Sequence, residues 1–256
     1  VKLVVQIKLM PTPDQAEALA ATLHVCNMAA DFVSRDAFQR RVFSRVGLQK
    51  LLYRDVKALG LSAQPAIHVI RKAADAYATL RAQMEAGLLG GARSVRRTKA
   101  ESKPITFRPD AAQAFDDRCL SWQMDARTVS IWTTGGRMRD LAFAGEPSQL
   151  KTLADHRKGE SDLVRRDGKW FLLATCEVPE APLNHDPVDW VGVDRGIANL
   201  ATTSDGDNYQ GRGLQRYRRR MARVRAELQA KGTKSARRKL KQRARRESRH
   251  ARSHEP

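Results

Sequence analysis

The sequence predicts an α+β protein: an antiparallel β-barrel or sandwich split by an inserted helical bundle, with a separate basic segment after it. Three observations carry that expectation. Hairpin signals stand at Gly135-Gly136 and Asp167-Gly168, each between strand-like runs. A lone N-terminal strand precedes three helical stripes, and the hairpins come only after them. The charge is also uneven. The 256 residues hold 47 Lys and Arg against 28 Asp and Glu, a net +19, and residues 211–256 alone hold 18 against 3, or +15.

Residues 2–10 alternate as a strand does, with Leu3, Val5, Ile7 and Leu9 on one face. Pro11-Thr12-Pro13 stops the strand, and Thr12 or Asp14 can cap a helix with Pro13 in its first turn. Leu19, Leu23, Cys26, Ala30, Val33 and Ala37 then recur at four- and three-residue steps, a helix of about six turns. A shorter helix holds Leu48, Leu51, Leu52, Val56 and Leu59 and ends at Gly60. A third carries Ala66, Ile70, Ala73, Tyr77, Leu80 and Met84. Three such helices in succession pack on one another. Their basic residues, including Arg35, Arg40, Arg41, Arg71, Lys72 and Arg81, could touch phosphate, but as single residues they read as solvated.

Residues 87–103 are glycine-rich and basic and read as a mobile connection. Strands begin at Ile105-Thr106-Phe107. The first hairpin joins 128–134 to 137–143, and the second joins 162–165 to 169–178, with a short helix over 150–158 between them. Trp170, Leu172, Ala174, Cys176 and Val178 make one face of the longest strand. The N-terminal strand needs a partner, and this sheet offers one, which makes the helices an insertion. Three prolines in 179–187 mark a linker.

Residues 188–193 read as a short buried strand ended by Asp194. A second apolar run at 197–203, a turn at 204–207 and a third strand at 208–210 follow. A carboxylate ending a buried strand needs a positive partner. Read from the residues alone, Asp194 caps the turn, pairs with Arg195, or holds a divalent metal. Asp189 falls on the opposite strand face, and Asp205 and Asp207 fall at the far turn.

Beyond Gly213, Leu214, Tyr217, Met221, Val224 and Leu228 recur at helical spacing. After a turn at 231–234, a last helix has Leu240 as its one large apolar residue. It buries little against protein, so its basic faces are open to phosphate. The candidate phosphate-binding residues are Arg212, Arg216, Arg219, Arg220 and Arg223 on the first helix. Lys231, Lys234, Arg237, Arg238, Lys239 and Lys241 continue the set. Cys26, Cys119 and Cys176 form no zinc or disulfide pattern and read as core residues of a reducing, cytoplasmic compartment. His250 and His254 read as surface residues. No apolar run predicts a membrane span.

Four stretches together resemble the transposon-encoded RNA-guided DNA endonucleases of the TnpB/OrfB transposase family. Lys8-Leu9-Met10-Pro11-Thr12-Pro13-Asp14-Gln15 resembles their opening, and Gly168-Lys169-Trp170-Phe171 their strand before the nuclease domain. Gly192-Val193-Asp194-Arg195-Gly196-Ile197-Ala198-Asn199-Leu200-Ala201 resembles their first RuvC motif. Lys231-Gly232-Thr233-Lys234-Ser235-Ala236-Arg237-Arg238-Lys239-Leu240 resembles the basic helical segment after it. The resemblance implies a wedge β-barrel over 1–12 and 103–180 and a helical recognition insertion over 13–102. It further implies a linker at 181–187 and the N-terminal part of an RNase H-like (RuvC) domain over 188–256. It implies a guide RNA from the transposon end, target DNA, Mg²⁺-dependent cleavage, and Asp194 as the first catalytic, magnesium-binding carboxylate.

Family members continue with an Asn-His-rich helix, a strand bearing a catalytic Glu, a four-cysteine zinc ribbon and a final catalytic Asp. None of these motifs is in this sequence, and Glu247 and Glu255 do not match that Glu. The expectation is a chain that ends early, has no zinc site and does not cleave. Val1 suits an alternative start codon. Two other readings stand beside this one: a non-catalytic RNA/DNA-binding module, and an ATPase of the actin and Hsp70 kind. Those ATPases also open on Gly-x-Asp-x-Gly, but here Ile197, Ala198 and Asn199 offer phosphates no hydroxyl.

Overall fold

The first strand, β1 (Lys2–Leu9), lies inside a sheet. The computed structural model describes residues 1–256 apart from Ala181, Ile197, Ala198 and 253–256, with backbone alone for 248–252. The chain divides into two units, Val1–Ala181 and Pro182–Pro256.

In the first unit, β1 is followed by α1 (Pro13–Arg40), α2 (Arg45–Ala58), α3 (Ala63–Glu85) and α4 (Val95–Glu101). Then come β2 (Gln113–Phe115), β3 (Leu120–Gln123), β4 (Thr128–Thr133), β5 (Gly136–Ala144), α5 (Pro147–His156), β6 (Arg157–Arg166) and β7 (Lys169–Glu177). The strands form one antiparallel sheet in the order β2-β6-β7-β1-β5-β4-β3. Strand β1 pairs along its length with β7, from Lys2↔Glu177 to Leu9↔Trp170. It meets β5 only at Lys8↔Ala144 and Leu9↔Phe143, so the sheet splays and curls there into a nearly closed, barrel-like form. Both hairpins turn at the expected glycines. Asp167 and Gly168 both have positive φ (50° and 78°), which matches the right-handed twist of the flanking strands.

Helix α1 starts at a capping box. The Gln15 N–H donates to Thr12 Oγ1 (3.3 Å), and the Thr12 N–H donates to Gln15 Oε1 (3.0 Å). The helix runs 28 residues, longer than its apolar stripe suggests. The stripe serves two cores. Leu19 and Leu23 pack in the sheet core with Ile7, Leu9, Phe143 and Leu172. Cys26, Ala30, Val33 and Ala37 pack in a helical core with Leu48, Leu52, Val56, Ile70 and Ala73. Burial pushes the Cys26 and Cys119 thiols up to about 12, so both stay protonated and act as small apolar residues.

Three expectations change. No strand forms at Ile105-Thr106-Phe107. There the backbone amides go to helix side chains: Ile105 N–H to the Tyr77 hydroxyl (3.4 Å) and Phe107 N–H to Asp31 Oδ1 (2.7 Å). The side chains of Ile105 and Phe107 pack on the helical core. The stretch after Gly87 is not all irregular: Ser94 Oγ accepts from the Arg97 N–H (3.1 Å) and caps α4. Arg71 and Lys72 are not solvated. Arg71 forks onto both oxygens of Glu160 on β6. Lys72 Nζ donates to Asn27 Oδ1 and to the Ala112 carbonyl, both at 2.6 Å, and lies over the Phe107 ring.

Burial lowers the Lys72 amine to about 8, against the pull of Asp162 and Asp31. An amine whose folded value lies below its unfolded value holds fewer protons when folded. Stability therefore rises with pH between about 8 and the unfolded lysine range near 10.5, and falls as pH drops through 8. In denaturant titrations across that window, wild type should gain stability relative to Lys72→Met. A difference that stays flat with pH would show that the folded and unfolded amines titrate alike.

Candidate nucleic-acid interface

The second unit begins with an apolar run that does not become a buried strand. Only β8 (Val193–Asp194) forms, and it pairs with β9 (Asn199–Thr203), which pairs with β10 (Asn208–Gln210). Val188, Trp190, Val191 and Val193 are all more than half exposed. Among the described residues β8 is paired on one side only, and the run has neither the second ladder nor the covering layer that burial requires. Gly192 N–H donates to Ser204 Oγ (3.0 Å), and the Ser204 N–H donates to the Gly192 carbonyl (2.8 Å), which pins the start of the hairpin.

Asp194 is exposed, with its Cα opposite Thr202. Its neighbouring acids turn to their own loops. Asp189 Oδ1 accepts from the Trp190 N–H (2.7 Å), and Asp205 Oδ1 accepts from the Ser204 hydroxyl (3.3 Å). Asp189 lies outside the strand, so the strand-face argument that set it apart from Asp194 does not apply. Among the described residues no three His, Cys, Asp or Glu side chains gather as metal ligands. His254 and Glu255 lie outside the described residues, as does the side chain of His250.

The chain then enters α6 (Arg212–Lys231) and α7 (Lys234–Arg252). At 1.5 Å per residue, α6 spans about 30 Å. Met221, Val224 and Leu228 on α6 and Ala236 and Leu240 on α7 are the part-buried or buried apolar positions. The two helices pack on each other along this stripe. Arg225 Nη1 reaches Glu247 Oε2 at 3.3 Å, and Arg243 Nη1 donates to Met221 Sδ at 3.6 Å. Gly232 makes the turn between them in the left-handed region, φ 61°.

Every one of the eleven candidate phosphate-binding residues is exposed. Arg212, Arg216, Arg219 and Arg223 recur at four- and three-residue steps, which puts them on one face of α6 away from Met221, Val224 and Leu228. Lys234, Arg238 and Lys241 do the same on α7. Arg237 flanks that stripe, and Lys239 lies further round the helix. The local acid on α6, Glu227, pairs with Arg223 at 3.0 Å, an exposed pair of little energetic weight. Arg225 and Arg243 were not among the candidates. Both belong to the seam between the helices, and their place in register with the apolar stripe is the signal that separates them from the outward-facing candidates.

Residues 174–254 match the OrfB_IS605 family, described as a probable transposase. The matched segment runs from the end of β7 through both basic helices, about a third of the chain. No curated protein matches the chain. Among solved structures it is similar to one titled "Cryo-EM structure of CRISPR-Cas12f Ternary Complex", with 12% identity and a TM-score of 0.41. The similarity covers 85% of this chain and 53% of that one, so the chain spans about half of that protein's length. No helix among the described residues is long and apolar enough to cross a membrane.

The turn at Gly232 holds the two basic faces in one hairpin. A Cβ there meets no atom, so the cost of Gly232→Ala is conformational only. It should cost about 1 kcal/mol, read as a lower midpoint for loss of the far-UV helical signal in the full chain. An unchanged midpoint would mean that the left-handed residue does not limit the hairpin.

Proposed function

We propose that this chain is a TnpB-type, insertion-sequence-encoded protein that binds a guide RNA and target DNA, with the α6–α7 pair as its main phosphate-binding surface. In this reading the barrel-like sheet is the wedge domain, over 1–12 and 103–180. The helices within 13–102 are the recognition insertion, and β8–β10 with α6 and α7 open the RNase H-like domain. The observation that carries the reading is the pairing of two helices through a thin apolar stripe. The pairing leaves most of their arginines and lysines outward, Arg225 and Arg243 in the seam excepted, in a segment with a surplus of +15. Such a surface has little to offer protein and much to offer a polyanion.

The affinity should depend steeply on salt. If six of these side chains neutralise phosphates on a duplex, the slope of log K against log salt is about −5. A chain ending at Tyr209 should bind more weakly and with a shallower slope in filter binding across a salt series. Equal affinity and slope with and without the segment would sink the assignment.

Asp194 is the family's first metal-binding carboxylate in this reading, and it supplies one oxygen donor. Two Mg²⁺ ions some 3.5–4 Å apart need several converging carboxylates, because each ion keeps near-octahedral oxygen coordination. The donors around Asp194 do not fit that pair. Asp189 and Asp205 accept hydrogen bonds within their own loops. These 256 residues by themselves should therefore bind nucleic acid without cutting it. Asp194→Ala should leave binding intact, since an exposed carboxylate repels phosphate. With RNA from the neighbouring transposon end, target DNA and Mg²⁺, cleavage that disappears in Asp194→Ala would refute this.

A further inference from the structure

We propose that the helical part of the first unit carries a second nucleic-acid site, a pocket that takes one unpaired nucleobase while cations at its rim hold the adjoining phosphates. The proposal rests on the reading that the chain handles nucleic acid. It concerns a different surface from α6 and α7.

The pocket lies where α1 turns into α2 and passes α3. Tyr77 forms its floor. That ring is buried and fixed, because the hydroxyl donates to the Ser34 carbonyl (2.9 Å) and lies 3.0 Å from Ser34 Oγ. Phe43 sits beside it, ring centroids 4.6 Å apart and tilted by 42°. Phe38, Leu80 and Met84 complete the apolar walls. The cavity measures about 140 Å³. An engineered apolar cavity of about 150 Å³ accepts a benzene ring, so this one has room for a planar ring.

The rim is cationic. Arg41, Arg81 and Lys103 are exposed at the mouth. The carboxylate there, Glu101, already has a partner in Arg97 at 3.0 Å, so it opposes an incoming phosphate weakly. Arg41 is held in an uncommon way. It ends α1 with φ 57°, a left-handed conformation that costs a bulky residue about 1 kcal/mol or more. Its guanidinium lies 4.5 Å from the centre of the Phe38 ring. Glycine is the ordinary residue for such a position. An arginine there keeps a charge at the mouth of the aromatic pocket at the expense of backbone strain.

Aromatic walls with cations alongside are the pattern that single-stranded nucleic acids stack on. The apolar walls offer a base edge no hydrogen-bonding group, and the Tyr77 hydroxyl is already occupied. Recognition would therefore come from ring stacking and phosphate contact, and it would tolerate any base. A duplex hides its base faces in the stack and should not enter.

The test uses the full chain and a short single strand carrying one 2-aminopurine. Wild type should quench its fluorescence on binding, and Phe43→Leu, which keeps an apolar side chain in the wall, should remove the quenching. The affinity should fall about five- to tenfold, within the range for one stacked base. An abasic site at the same position should weaken wild type by a similar factor and leave Phe43→Leu unaffected. Arg41→Gly should hold or raise Tm while reducing single-strand affinity and making the salt slope shallower by about 0.7, which separates lost binding from lost folding. Duplex binding should be unchanged in both variants. If the strand binds but is not quenched and Phe43→Leu behaves as wild type, the pocket is overturned and the role of α6 and α7 stands. If no nucleic acid binds at all, both fall. Displacement of the strand by adenosine monophosphate at matching affinity would make the pocket a free-nucleotide site and overturn the strand assignment.

Discussion

The pairing of β1 with β7 fixes the layout of the first unit. The N-terminal amine donates to the Val178 carbonyl (2.7 Å), and the Val178 N–H donates back to the Val1 carbonyl (2.9 Å), so the two ends of this unit's chain meet at one end of the sheet. With β5 on its other side, β1 is an interior strand. The chain between β1 and the later strands must leave the sheet and return to it, and α1 to α4 fill that excursion. Helix α1 makes the excursion stable because one apolar stripe starts in the sheet core and ends in the helical core.

Polar groups then fix the seam between helices and strands. The loop before β2 has carbonyls that no ladder satisfies. Asn27 Nδ2 donates to Pro109 O (3.2 Å) and Ala111 O (2.9 Å), and Lys72 Nζ reaches Ala112 O. Asn27 and Lys72 are themselves hydrogen-bonded to each other, so α1, α3 and the loop are locked as one group. Arg71 and Glu160 add an ion pair from α3 to β6. A network of this kind does more to fix which arrangement forms than to raise its stability, because each buried polar group repays mainly its own desolvation.

The sequence made parts of this legible and hid others, for physical reasons. Both hairpins could be read because Gly135-Gly136 and Asp167-Gly168 supply turn conformations that few other pairs tolerate. The stripes of α1 to α3 could be read because burial of one helix face leaves a period. β2 and β3, with three and four residues, are too short to show one. Phe107 looked like strand because it is aromatic, yet its partners, Asp31 and the helical core, lie far back in the chain. Arg71 and Lys72 looked solvated because Glu160 and Ala112 are 89 and 40 residues away. In the second unit the charged face of α6 was legible as spacing alone. The exposure of 188–191 was not, since apolar residues signal burial only where something covers them. The corner at Arg41 was invisible because nothing in an arginine announces a left-handed backbone.

The hairpin of α6 and α7 has a thermodynamic consequence. Arg212 and Arg216, Arg219 and Arg223, and Lys234 and Arg238 each stand four residues apart with like charge, and every such pair works against its own helix by a few tenths of a kcal/mol. The seam opposing them is thin: Ala236 is its one buried apolar residue among those described. A polyanion that binds the folded hairpin and neutralises these charges is therefore also a folding ligand for it. By mass action it adds about 2.7 kcal/mol to the hairpin's stability when present at a hundred times its dissociation constant. If nucleic acid is that polyanion, as proposed, proteolytic resistance and helix content in this segment become functions of its concentration, and the hairpin's order reports whether the chain is loaded.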